Sequence, residues 1–266
     1  MTNIIQKIAF RGTEHHPDAP IIEMENVSIA YESVGFSFAA PEMHNALEAI
    51  SFQVETGEHI AVIGPNGAGK STIFKLIAGI LKPDTGRVRM FGISPDKHIC
   101  IAYVPQKDHI DRTFPVTVKD VVMMGRIRQI GLFNRPGKAD WQAVYAALER
   151  VDALPIADEQ IGELSGGQQQ RVYIARTLAM HADLLLLDEP LAGLDAPSRQ
   201  AIFTILDSLR PDGVTVLLAT HDLHLAAERF DRVMLLNRRL LAFGPAEDVL
   251  RTENLLAAYS GQVGPH

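Results

Sequence analysis

The chain has 266 residues, 47% of them hydrophobic and 21% charged, with a net charge of −7 at pH 7. That is the balance of a globular protein with a sizeable core, and the acidic excess argues against a nucleic-acid footprint, which needs clustered Lys and Arg. A single cysteine, Cys100, excludes a disulfide framework within the chain and fits a reducing compartment.

Residues 1–20 read as a polar lead-in without the apolar core or small-residue cleavage site of a signal peptide. Its pair His15–His16 reads as solvated, with metal binding the alternative. No window approaches the ~18 apolar residues of a bilayer span, so any work at a membrane needs another protein to hold the chain there. IIEMENVSIAY and ALEAISFQV, between Ile21 and Val54, suggest strands with turns between them. HIAVI (His59–Ile63) is a compact apolar strand, and the stretch GPNGAGKST (Gly64–Thr72) follows at once. A helix comes next, with Ile73, Phe74, Leu76, Ile77 and Ile80 on one face, and stops at the turn cluster KPDTG. Two more strands are expected at Arg87–Phe91 and Ile99–Val104, the second burying Cys100. Residues 117–180 read as mostly helical: VKDVVMMGRIRQI, ADWQAVYAALERV and GGQQQRVYIARTLAM, with Gly- and Pro-bearing loops between. LLLLD (Leu184–Asp188) and VTVLLAT (Val214–Thr220) are continuous apolar runs, as parallel strands covered on both faces require. The amphipathic stretch Ser198–Arg210 between them completes a strand–helix–strand unit. A hairpin, RVMLLNRRLLAFG, and a short helical tail close the chain.

Three motifs carry chemistry. Gly64, Gly69, Lys70 and Ser71 satisfy G-x-x-x-x-G-K-[ST], with Pro65, Asn66, Gly67 and Ala68 filling the loop and Thr72 following it. Such a loop turns successive N–H groups toward an anion at a helix start. Lys70 is expected on the β- and γ-phosphates of a nucleotide and Ser71 on Mg²⁺. Asp188 closes a four-leucine strand, where its charge is stranded without a cation, and Glu189 beside it is placed to polarise an attacking water. LSGGQ (Leu164–Gln168) opens a helix, so that Ser165, Gly166 and Gly167 present a hydroxyl and bare N–H groups: a second anion cradle.

In this order the motifs resemble those of the ATPase subunits of ATP-binding-cassette (ABC) transporters, over residues ~21 to ~260. The resemblance implies an α/β fold: a P-loop NTPase core, with a mixed sheet whose central strands are parallel, an antiparallel β subdomain and an inserted helical subdomain. One ATPase domain is expected over 21–260, its core at 21–106 and 181–260 and its helical part at about 107–180, with a tail at 261–266. ATP and Mg²⁺ are the implied cofactors, the metal on Ser71 and Gln106 directly and on Asp188 through water. Gln106 (in YVPQ) is similar to the family's Mg²⁺- and γ-phosphate-sensing glutamine, and His221 (in ATHD) to its switch histidine. Asp195 (in LAGLD) is similar to the aspartate that communicates across a dimer. Ser165, Gly166, Gly167 and Gln168 of one subunit would close over the ATP of the other. For the aromatic ring that stacks on adenine, Phe38 is preferred for its distance from the loop and Tyr31 is second.

The implied partners are a second copy of the chain, an integral membrane permease and, indirectly, an extracytoplasmic binding protein. No nucleic acid is implied, and the location is the cytoplasmic face of the bacterial inner membrane. The segment KDHIDRTFPVTVKDVVMMGRIRQIGLFNRPGKAD is similar to that of bacterial manganese, zinc and iron importers, with siderophore, haem and cobalamin importers second and a soluble non-transport ATPase third. Cargo selectivity is expected in the permease and binding protein.

Overall fold

The computed structural model describes residues 19–32, 43–95, 101–106, 115–131 and 134–260. His15–His16, Phe38, Cys100 and Phe114 lie outside the described residues.

The first part of the chain forms β1 (Ile22–Glu32), β2 (Met43–Val54), β3 (His59–Ile63), α1 (Lys70–Ile77), β4 (Thr85–Met90) and β5 (Ile101–Val104). β1 is the middle of an antiparallel sheet of order β2-β1-β4. The strand expected to reach Phe91 ends one residue earlier, because Phe91 turns into the left-handed region at φ 46°. α1 stops at Ile77, short of the expected Ile80. The N–H groups of Ile80 and Leu81 bond back to the Lys75 carbonyl, which closes the last turn and leaves Ile80 59% exposed instead of on the buried face.

The middle of the chain is helical: α2 (Val118–Met123), α3 (Ile127–Ile130), α4 (Lys138–Arg150) and α5 (Gly166–Ala179). VKDVVMMGRIRQI is not one helix. It tightens into a 3₁₀ turn at Met124–Arg126, where Gly125 packs directly on the Arg176 carbonyl of α5. Thr117 starts α2 with a capping box to Asp120.

The last part adds β6 (Leu184–Asp188), α6 (Ala196–Leu209), β7 (Thr215–Ala219), α7 (Leu223–Arg229), β8 (Arg232–Asn237), β9 (Arg239–Gly244), α8 (Ala246–Val249) and α9 (Thr252–Tyr259). The second sheet has the order β5-β6-β7-β3-β8-β9, parallel from β5 to β8, with β9 antiparallel at the edge. Every residue of β3, β6 and β7 is buried. Alternation explains why: Ile60, Val62, Leu184 and Leu186 face a core shared with β1, β2 and α1, while Ala61, Ile63, Leu185 and Leu187 face a core shared with α2, α4, α5 and α6. The sheet is an apolar slab between two apolar layers, and chemistry is left to the ends of its strands.

At the start of β3, the His59 side chain is 2% exposed and its Nε2 has no hydrogen-bond partner among the described residues. Burial holds this imidazole below its ordinary value, with Arg210 adding to the effect and Asp231 opposing it.

Candidate functional site

The loop from Gly64 to Lys70 joins the end of β3 to the start of α1. Gly64 sits so close to β8 that a Cβ would stand 2.0 Å from the Leu236 carbonyl oxygen, and its φ of 153° suits no side chain. The far side of the loop is held by the turn between β8 and β9, where the Arg238 N–H donates to the Ala68 carbonyl at 2.8 Å. Lys70 is 6% exposed and folds back over the loop, donating from Nζ to the Gly64 and Pro65 carbonyls at 2.9 and 3.2 Å. Burial lowers its affinity for a proton, and the nearby Glu189 and Asp188 counter that. The tip of the loop, Pro65–Gly67, opens on a cavity of about 490 Å³ shared with Arg238 and Arg239.

β6 delivers the two carboxylates. Asp188 is 2% exposed. Burial raises its pKa, while hydrogen bonds from Ser71 and Tyr103 pull it back down. Its Oδ1 is buried with no hydrogen-bond partner among the described residues, whereas Oδ2 accepts from the Tyr103 hydroxyl at 3.2 Å. An orphaned carboxylate oxygen beside a serine hydroxyl suits a hard cation that takes oxygen ligands. The next residue, Glu189, leaves the strand in the left-handed region at φ 50°, a conformation that costs a non-glycine residue about 1–2 kcal/mol. The turn carries its carboxylate away from that of Asp188 and into a ring of donors. Oε2 accepts from Gln106 Nε2 at 2.9 Å, and Oε1 lies 2.5 Å from His221 Nε2 and 3.8 Å from Lys70 Nζ. Three residues that are far apart in sequence thus meet on one carboxylate. Beside it an open cavity of about 310 Å³ is lined by Glu189, Gly193, Thr220 and His221, among others.

The second cradle, Ser165–Gln168, opens α5 with Ser165 as its N-cap. The Ser165 hydroxyl is committed to its own helix: it accepts from the Gln168 N–H at 3.3 Å, and Gln168 Oε1 accepts from the Ser165 N–H at 2.9 Å. The hydroxyl keeps its proton to donate outward. Gly167 is buried against α6, where an added Cβ would stand 2.4 Å from Ser198 Oγ. Asp195 caps α6 by accepting from the Ser198 N–H at 3.0 Å. The LSGGQ turn and the Asp195 turn therefore meet through Ser198.

Gly64–Ser71, Gln106, Asp188, Glu189 and His221 are brought together. Ser165–Gln168 and Asp195 form a separate pair of helix starts. Tyr31, at the end of β1 and in register with His44 of β2, is 43% exposed, while Phe38 is outside the described residues. Sequence reading missed Tyr103. Its signal was an aromatic hydroxyl in an apolar strand just before Gln106.

The family model described as "ABC transporter" matches residues 47–192. The manganese transport system ATP-binding protein MntB of Bacillus subtilis is 44% identical over 243 residues, covering 91% of this chain and 93% of its own length. The zinc transport system ATP-binding protein TroB of Treponema pallidum is 45% identical over 216 residues, covering 80% of this chain and 81% of its own. Among solved structures, an ATP-binding cassette of an ABC transporter in its ADP conformation superposes with a TM-score of 0.76 at 26% identity, covering 91% of this chain and 99% of that one.

Proposed function

The chain belongs to the ABC transporter family, and from that premise we propose that it is the ATP-hydrolysing subunit of an importer for a divalent metal ion (manganese, zinc or iron). The observation that supports the chemistry is the convergence of Lys70, Gln106 and His221 on Glu189, next to an Asp188 oxygen without a partner.

Each residue then has a task that its position allows. Lys70 gives up the Gly64 and Pro65 carbonyls and takes phosphate oxygens, exchanging neutral acceptors for charged ones. Glu189, relieved of Lys70 and Gln106, accepts a hydrogen bond from the attacking water and orients it in line with the γ-phosphorus. His221 donates to the γ-phosphoryl group as charge builds there. Asp188, Ser71 and Gln106 fit the Mg²⁺ that accompanies ATP, and that ion supplies the positive charge that draws electrons from the phosphoryl oxygens.

ABC ATPase subunits pair with one another and with a permease in transporter complexes. In the reading proposed for this chain, each ATP lies between the Gly64–Thr72 loop of one copy and the Ser165–Gln168 turn of the other. Such an arrangement uses both cradles, although the chain has a single phosphate loop. No helix among the described residues is long and apolar enough to cross a membrane. In the proposed reading the dimer sits on the inner face of a bacterial membrane, against its permease. The metal cargo is supported by the names of the relatives at 44% and 45% identity and by the FPVTVKDVVMMGR run.

The test is Glu189→Gln. ATP turnover should fall by at least about a hundredfold, while ATP with Mg²⁺ should drive the variant from monomer to dimer. Uptake of manganese, zinc and iron by cells lacking the chain, restored by wild type and not by Glu189→Gln, assigns the cargo. Near-normal turnover in the variant would sink the catalytic assignment.

A further inference from the structure

β5 serves two successive carboxylates. Gln106, just past its end, reaches Glu189, and Tyr103, inside it, reaches Asp188. In the parallel pairing Tyr103 stands opposite Leu186, two residues before Asp188, so the phenol leans along the strand direction to meet the carboxylate. Its ring is held edge-on by Phe74, at 6.5 Å between centroids and 78° between planes. Phe74 is fully buried in α1, the helix that starts with Lys70 and Ser71. One aromatic side chain thus touches both the helix that follows the phosphate loop and the carboxylate at the end of β6.

A carboxylate held by no donor swings about its last torsion, which is broad and roughly two-fold. Asp188 accepts from the Tyr103 hydroxyl on β5, and Ser71 at the start of α1 is close enough to favour its charged form. A hydroxyl that coordinates a cation through its lone pairs keeps its proton for a carboxylate, so Ser71 can serve metal and Asp188 together. The phenol is the anchor that limits the swing, and it holds one of the two oxygens. Oδ2 is spoken for, and Oδ1 is the oxygen with no hydrogen-bond partner among the described residues.

We propose that Tyr103 is a positioning residue for the magnesium of Mg-ATP: its hydroxyl pins Oδ2 of Asp188 and thereby reserves Oδ1 for the water shell of the metal. The inference deepens the function proposed above and rests on its Mg-ATP reading. Tyr103 acts through Asp188, the carboxylate that its hydroxyl holds.

Tyr103→Phe keeps the ring and its contact with Phe74 and removes only the hydroxyl. In the non-hydrolysing Glu189→Gln background, binding of a fluorescent ATP analogue is titrated with Mg²⁺ and measured separately in EDTA. The Mg²⁺ concentration at the midpoint should rise about fivefold to tenfold, the loss of one charge-assisted hydrogen bond, with binding in EDTA unchanged. In an Asp188→Asn background, where the anchored group is altered, Tyr103→Phe should shift the midpoint by no more than about twofold. An unchanged midpoint, an equal loss of binding in EDTA, or the full shift persisting beside Asp188→Asn would each overturn the proposal. If binding to the chain with Tyr103 intact shows no Mg²⁺ dependence at all, the Mg-ATP reading itself fails. That result is distinct from a normal dependence that the substitution leaves alone.

Discussion

Two places in this chain offer a helix start to an anion, and they are built in opposite ways. At Gly64–Thr72 the charges are drawn inward: Lys70 is buried, lies on its own loop's carbonyls and stands beside Glu189 and Asp188. At Ser165–Gln168 no residue is charged, Ser165 and Gly166 are exposed, and the polar side chains close a capping box on each other. Buried charge that needs a partner makes a binding site costly to leave empty. An exposed neutral turn costs nothing when empty. The first region is therefore suited to bind and react, and the second to register a nucleotide already held elsewhere.

The strongest challenge to that division is a mixing experiment. Lys70→Ala should lower ATPase activity by about a hundredfold or more, since a buried cation aimed at phosphate is lost. Ser165→Arg, which blocks the second cradle, should be comparably inactive. Mixed in equal amounts, the two variants should recover about a quarter of wild-type activity, because half the dimers are mixed and each of these keeps one intact shared site. If both regions served the same chain's nucleotide, mixing would restore nothing.

A smaller effect is expected where the second cradle meets α6. Gly167→Ala places a methyl group against Ser198 Oγ and should destabilise the chain by about 1–3 kcal/mol, read by urea unfolding. Ser198→Gly should return most of that, by removing both atoms in the way. Failure of the rescue would mean that the two turns are not mechanically joined through Ser198.

The smallest effect lies at the other end of β3 and tests that the site can be spared. Burial holds the His59 imidazole below its ordinary value of about 6.5. Below that pH the unfolded chain takes up a proton that the folded chain resists, so stability is complete above about 6.5 and declines as the pH falls through it. His59→Leu should flatten this acid limb in urea titrations across pH while leaving Mg²⁺-dependent nucleotide binding at neutral pH unchanged.

How much of this was legible in the sequence depends on how locally each feature is encoded. The phosphate loop and the Asp188–Glu189 pair are contiguous, and the apolar runs around them announce buried strands. The parallel strands and the helical middle follow from the same patterns, whereas the antiparallel sheet came from the family resemblance. Tyr103 was not legible, because its partner sits on a strand more than eighty residues away and only the β5–β6 pairing brings the two together. Nor was the backbone twist at Glu189, since nothing in LLLLDEP distinguishes φ 50° from an extended continuation. The capping box that occupies Ser165 could have been read from its spacing to Gln168. Ile80 was misplaced because a helical period continues on paper past the point where the chain turns back on Lys75.

The position of β3 has a consequence for how the protein is made. Its neighbours in the sheet are β7 and β8, and the turn after β8 braces the phosphate loop. A ribosome that has released residues 64–72 has therefore issued the whole loop and β3, but not the strands β7 and β8 that flank them. Non-local pairing of this kind comes late, after the intervening chain has been ordered. The loop therefore takes its final brace, the Arg238 N–H on the Ala68 carbonyl, only after residues near 238 have emerged from the ribosome.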